Sequence, residues 1–137
     1  YYGDEYGQWG GADPNNRLLW RNGGSLSADE QATLAFVRKL GSARRDIPAL
    51  RRGDYVSLAV TEDTLVFGRK MSGGGAAVVA LNRLGSPASV SAEVTGALGL
   101  PSGTTLVDSM GGPSVVVSAG GTASFTIPAR SVVILHP

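Results

Sequence analysis

SVSAEV at residues 89–94 alternates small polar with apolar residues, and TASFTI at residues 122–127 does the same. A period of two puts Val90, Ala92 and Val94 on one side of an extended chain and Ser89, Ser91 and Glu93 on the other. That is the pattern of a half-buried antiparallel strand. Working outward, short runs rich in β-branched residues recur at 55–60, 64–70, 76–82, 88–94, 104–108, 114–118, 122–127 and 131–135. Glycine-rich turns separate them, and SGGG at 72–75 and AGGT at 119–122 read as hairpin connections. Seven or eight short strands at this spacing predict an all-β antiparallel sandwich of Greek-key type over residues 54–137. Phe125 is the one aromatic after Phe67. The core must therefore be mostly Val, Leu, Ile and Ala, with Tyr55, Phe67 and Phe125 read as members of it.

N-terminal to this region the chemistry changes. Fifteen charged residues lie within residues 1–54 and eight in the remainder. Ser27-Ala28-Asp29-Glu30 forms a capping box: the Ser27 hydroxyl accepts from the Glu30 N–H while the Glu30 carboxylate accepts from the Ser27 N–H. Leu34, Val37 and Leu40 then recur at helical spacing, Phe36 widens the stripe, and Arg38, Lys39, Arg44 and Arg45 gather toward the end where cations are favoured. This predicts a helix over about residues 28–44, stopping before Pro48. A junction follows at 45–53, carried by IPALRRGDY (47–55), with Arg51 to Asp54 supplying a turn and the basic pair a solvated face. Upstream, residues 1–24 are rich in turn formers and read as one long loop after a strand end at Tyr1–Tyr2. A loop of that length in a compact domain is usually functional or disordered, and the plain alternative is a surface loop with a few aromatic anchors.

The composition narrows the functional classes. The chain has 137 residues, enough for a sizeable core. Twelve basic and eleven acidic side chains leave a net charge of +1, which gives no reason to expect nucleic acid or an anionic membrane as partner. With no cysteine there is no disulfide, thiol nucleophile or thiolate metal site, although this leaves the compartment open. No run of about 18 apolar residues occurs to suggest a transmembrane helix. Glycine runs match no phosphate-binding loop, and a single histidine, His136, makes neither a triad nor a metal site and is read as a surface residue. No cofactor or metal is expected.

The loop itself carries the strongest chemical signal. YYGDEYGQWGGADPNNRLLW (residues 1–20) holds five of the nine aromatics, Tyr1, Tyr2, Tyr6, Trp9 and Trp20, with the carboxylates Asp4, Glu5 and Asp13. Aromatic faces stack on the C–H faces of pyranoses, and Asp, Asn and Arg pair with sugar hydroxyls. The stretch resembles the segment after the last conserved region of the α-amylase family, glycoside hydrolase family 13. It is most similar to the neopullulanase, cyclomaltodextrinase and maltogenic amylase branch, on the joint match of YYGDE, GG, DP-N-R and the following Trp. The resemblance runs strongly to about Tyr55 and by pattern beyond. It implies an α+β fragment: the end of a (β/α)8 barrel over residues 1–53, its loop at 1–24 and its last helix at about 28–44, followed by the β domain at 54–137, with a stabilising role.

The same resemblance implies a retaining, α-glucan-acting parent whose catalytic Asp, Glu and second Asp lie upstream, so this chain alone is expected to be inactive. Its partners are then a malto-oligosaccharide or other α-glucan and the remainder of the barrel. Asp13 and Arg17 would line the glycone side of the cleft, an Asp accepting from sugar hydroxyls and an Arg donating to them. An internal Asp13–Arg17 ion pair that shapes the loop is an equally good and compatible reading. Tyr2 and Tyr6 either border the cleft or pack as wall and core. Asp4 and Glu5 are neighbours that an extended chain would point apart, whereas a glycosidase pair faces across a sugar; structural roles suit them better. The alternative for the whole chain is a stand-alone carbohydrate-binding or structural β-sandwich module.

Overall fold

The computed structural model describes residues 2–137. The chain divides into two compact units, residues 1–42 and 43–137, with helix α1 (Ala28–Asp46) running through the division.

In the first unit, a 3-10 turn at Asp4–Tyr6 follows Tyr2 and a second lies at Gly23–Ser25. Of the strand end expected at Tyr1–Tyr2, Tyr1 lies outside the described residues and Tyr2 is in no strand. Gly3 has φ +94, and a Cβ there would meet the Gln8 Cβ at 2.8 Å, so glycine is required twice over. The capping box opens α1 as read: the Glu30 N–H donates to Ser27 Oγ at 3.3 Å and the Ser27 N–H to Glu30 Oε2 at 2.8 Å. The helix continues two residues past its expected end.

In the second unit, the junction is a short helix rather than a simple turn. α2 (Pro48–Arg52) starts with proline at its first position, where no N–H is needed. It buries Ala49 and Leu50 against strands β2 (Thr64–Lys70) and β3 (Ala76–Asn82). Strands β1 (Asp54–Val60), β4 (Ala88–Glu93), β5 (Thr105–Asp108), β6 (Val115–Val116), β7 (Thr122–Ile127) and β8 (Ser131–His136) follow. All pairings are antiparallel, in one six-stranded sheet ordered β1-β2-β3-β8-β5-β6 and one two-stranded sheet of β4 and β7. The two layers are therefore unequal. The SGGG turn closes a true hairpin between β2 and β3, but the AGGT turn hands the chain from β6 to β7, which lie in different sheets.

The core joins both sheets. Val66, Val78, Leu106 and Leu135 from the large sheet and Ala92, Ala123 and Ile127 from the small one belong to one buried cluster. Between β4 and β5 a single helical turn, α3 (Thr95–Leu98), which the periodicity does not announce, drops Leu98 onto Gly68. A Cβ at Gly68 would lie 2.3 Å from Leu98 Cδ2, so this close approach needs glycine. Two buried polar side chains act as clamps, Asn82 between the sheets and Asp108 within the larger one. Asn82 Nδ2 reaches the carbonyls of Ser86, Ile127 and Pro128, tying β3 to the end of β7. Asp108 accepts from the N–H groups of Met110, Gly112 and Ile134 at 2.9 to 3.0 Å.

The aromatic reading of this core needs two corrections. Phe125 is half-buried and packs on the core cluster, but Phe67, also half-buried, is outside it, on the strand face opposite Val66. Tyr55, however, is 56% exposed. It sits on the edge strand β1, where no further strand covers it, and stacks on Phe67 with ring centroids 5.3 Å apart.

Candidate functional site

The N-terminal loop is built around Tyr6, 1% exposed and, among the described residues of its unit, the most deeply buried large side chain, with Leu26 next at 6%. Its hydroxyl donates to Gln8 Oε1 at 2.7 Å and accepts from the Arg21 N–H at 3.0 Å. Gln8 in turn donates through Nε2 to the Leu18 carbonyl at 3.2 Å. Tyr6 and Gln8 thus clasp the loop across residues 6 to 21. Trp20 meets Tyr6 edge-on, with centroids 6.3 Å apart, and the Arg21 guanidinium lies 5.6 Å from the Tyr6 ring centre.

The carboxylates divide by task. Glu30 takes a forked pair from Arg21, one arm at 3.2 Å, besides capping α1. The Arg21 bond to its charged form holds the Glu30 carboxyl below the ordinary range and raises Arg21 in return. Glu5 accepts the Trp20 indole N–H at 2.9 Å, and this bond is the main reason its carboxyl is also lowered. Glu5 therefore has a structural partner. The Asp4 backbone carbonyl accepts the Gly7 N–H.

Asp13 and Arg17 come together, four residues apart, with Arg17 Nε 2.9 Å from Asp13 Oδ1 and both side chains well exposed. A planar guanidinium held by one carboxylate still has donors free, and an ionised carboxylate has unused lone pairs. The pair can shape the loop and still address a polyhydroxyl ligand. Tyr2 is half-exposed at the surface. Tyr6 is not: the four candidates divide into an exposed trio, Asp13, Arg17 and Tyr2, and a buried anchor. Trp9 and Leu19 stand out at 69% and 84% exposed. Gln8, Arg21 and Glu30 organise the loop, and only the capping box hinted at one of them. The Gln8 and Arg21 contacts are tertiary and leave no periodic trace.

His136 is half-buried and its Nδ1 lies 2.8 Å from the Pro137 carbonyl. Among the described residues no group of three or more His, Asp or Glu side chains could hold a metal ion, and no helix is long and apolar enough to cross a membrane.

No family model matches the chain. Individual proteins do. The cyclomaltodextrin glucanotransferase of Niallia circulans is 35% identical over 98% of this chain and 18% of its own length. The amylopullulanase of Thermoanaerobacterium saccharolyticum is 31% identical over 98% of this chain and 11% of its own. Among solved structures, an Anoxybacillus α-amylase superposes over 100% of this chain and 28% of its own with a TM-score of 0.79 at 27% identity. The chain spans less than a fifth of the length of these curated relatives. Its homologues are enzymes of the α-amylase family, glycoside hydrolase family 13, and they match it along nearly its whole length.

Proposed function

We propose that this chain serves as the C-terminal portion of a retaining, α-glucan-acting glycoside hydrolase, supplying one wall of the sugar cleft and a stabilising β domain. Residues 1–53 would close the (β/α)8 barrel, and residues 54–137 would form the domain behind it. Asp13 and Arg17 would position sugar hydroxyls, Tyr2 would border the cleft, and Tyr6 would fix the loop from beneath. The observation that carries this reading is that the N-terminal unit exposes Trp9, Leu19 and Trp20 and, in the same loop, an ion pair with unused hydrogen-bonding capacity. Large apolar side chains left in the open suit a surface that another polypeptide or a sugar covers.

The reaction would be double displacement through a covalent glycosyl–enzyme intermediate, with a nucleophilic carboxylate and an acid/base carboxyl about 5–5.5 Å apart. Neither role falls to this chain. Glu5 is bonded to Trp20, Glu30 to Arg21 and Ser27, and Asp13 to Arg17. The test is to assay the purified chain for release of reducing sugar from malto-oligosaccharides and pullulan, alone and after mixing with the barrel portion of a relative. Silence alone and turnover in the mixture is the expected result. Turnover by the chain alone would overturn the reading, and silence in both, with a stable monomer, would favour an independent binding or structural module.

A further inference from the structure

Asn22 is followed by Gly23 and Gly24, and all three are exposed in the turn that leads into α1. The Gly23 N–H has no acceptor among the described residues. A Cβ at Gly23 would meet nothing within 4 Å, so its nitrogen is open to solvent on that side. A Cβ at Gly24 would lie 3.7 Å from Asn22 Oδ1, so the Asn22 amide leans forward along the chain, over the peptide that carries the Gly23 nitrogen. Asn22 has ψ 168, and a swing about this bond brings that nitrogen toward Asn22 Cγ. Two glycines in succession give the backbone the freedom to make it.

The other three asparagines are protected. Asn82 is buried, its Nδ2 donates to three carbonyls and its Oδ1 accepts the Leu84 N–H. The nitrogen that follows it, in Arg83, donates to the Asp63 carbonyl at 3.0 Å. The nitrogen that follows Asn16, in Arg17, donates to the Pro14 carbonyl at 3.1 Å. Asn15 precedes Asn16, whose Cβ crowds the nitrogen between them. Only at Asn22 do a bare nitrogen, an exposed amide and a side-chain-free neighbour coincide.

We propose that Asn22 is a site of spontaneous deamidation, which loosens the N-terminal loop as the chain ages. The Gly23 nitrogen loses its proton to hydroxide and attacks Asn22 Cγ. A new C–N bond closes a five-membered succinimide, the Cγ–Nδ2 bond breaks, and the departing nitrogen takes a proton from water to leave as ammonia, which regenerates the hydroxide. Water then opens the ring at either carbonyl, giving aspartate or isoaspartate and one new negative charge. Aspartate keeps the main chain as it was. Isoaspartate routes it through Cβ and Cγ, adding a methylene and turning the old α-carbonyl into a free carboxylate. That carbonyl accepts both the N–H and the Oγ of Ser25 at 3.0 Å. It lies between Arg21, whose N–H binds Tyr6, and the capping box that opens α1. Lengthening the chain there uncouples the clasp from the helix. The chemistry belongs to this loop whichever enzyme it serves, so it stands or falls apart from the proposed function.

The experiment is incubation of the purified chain in mildly alkaline buffer, followed by peptide mapping with mass spectrometry and enzymatic methyl labelling of isoaspartate. The mass gain of an amide-to-acid exchange is expected first in the peptide that carries Asn22, at a rate within about tenfold of a synthetic peptide of residues 20–25. Gly23 does not have a left-handed backbone and has room for a methyl group. Gly23→Ala should therefore keep its circular dichroism melt and slow the reaction by about tenfold or more. A first gain at Asn15 or Asn16, a folded chain slower than that margin against the peptide, or full speed in Gly23→Ala would each overturn the site. The isoaspartate form, separated by ion exchange, should exchange amide hydrogens faster over residues 3–21 than an Asn22→Asp chain, which has the same charge and an ordinary main chain. Equal exchange in the two would overturn the loosening.

Discussion

The two units of this chain are held by different physics. Residues 43–137 bury a continuous apolar cluster drawn from both sheets, with polar clamps at Asn82 and Asp108 whose hydrogen bonds are made within the unit. Among the described residues of 1–42 the buried large apolar side chains are Tyr6 and Leu26, and the unit holds its shape through a chain of side-chain hydrogen bonds around Tyr6, while two tryptophans and a leucine face outward. A hydrophobic cluster of this kind stabilises by area removed from water. A hydrogen-bonded loop gains about 0.5–1.5 kcal/mol net per bond and must offset the entropy of ordering some twenty residues. The contrast separates a unit held by a packed apolar cluster from a loop held by side-chain hydrogen bonds.

The comparison breaks most directly in the core of the larger unit. Leu106 is completely buried between β5 and its neighbours. Leu106→Ala should cost about 3–5 kcal/mol and lower the melting temperature by more than about 10 °C, read by circular dichroism as one cooperative transition of the β signal. If the loss were below about 1 kcal/mol, the cluster would not be the source of the domain's stability.

The next largest effect should be confined to the loop. Tyr6→Phe removes a hydroxyl that donates to Gln8 and accepts from the Arg21 N–H, leaving partners unpaired at a cost of about 1–3 kcal/mol. Hydrogen exchange should quicken at residues 3–21 while the strands of the second unit keep their protection. Equal loosening of both would erase the distinction between them.

How much of this was legible beforehand follows the same division. The β strands declare themselves by alternation, because each half-buried strand must repeat every two residues, and the runs around Val66, Val78, Ala92 and Ala123 lie in strands as read. Helix α3 escapes notice because TGAL is a single turn, too short to repeat an apolar position at helical spacing, and α2 because Pro48 reads equally as a helix stop and a helix start. Tyr55 misleads because strand type is local while burial depends on whether another strand lies beside it. In the loop, the Asp13–Arg17 spacing is visible in the sequence. The burial of Tyr6 is not, since it depends on Gln8 and Arg21 closing around it from two and fifteen residues away.

A smaller effect comes from pH. The Glu30 carboxyl is lowered by the Arg21 bond and the Glu5 carboxyl by the Trp20 bond. A carboxyl lowered in the folded state binds fewer protons there than when unfolded. It therefore adds stability above its unfolded value and loses it as the pH falls through the folded one. The loop should loosen in acid, below the ordinary carboxylate range near 4.3, and tryptophan emission should report it because Trp20 leaves Glu5. Glu30→Gln should flatten part of that transition. A pH-independent emission between 6 and about 3 would show that neither carboxylate orders the loop.

The least stabilising contact is the one the function reading values most. Asp13 and Arg17 pair in the open, where such ion pairs contribute about 0–1 kcal/mol. Asp13→Asn and Arg17→Ala should leave the melting temperature of the chain within about 2 °C of the parent value. In an active assembly with a barrel, Arg17→Ala should lower kcat/KM by about tenfold or more, since a sugar hydroxyl would lose its donor. A surface pair that evolution kept only to shape the loop would give the opposite result, a measurable change in loop exchange rates and none in turnover. Because stability and turnover report on the same two side chains through different partners, the ratio of the two effects decides whether the exposed face of the first unit is a wall of a sugar cleft or merely the outside of a fold.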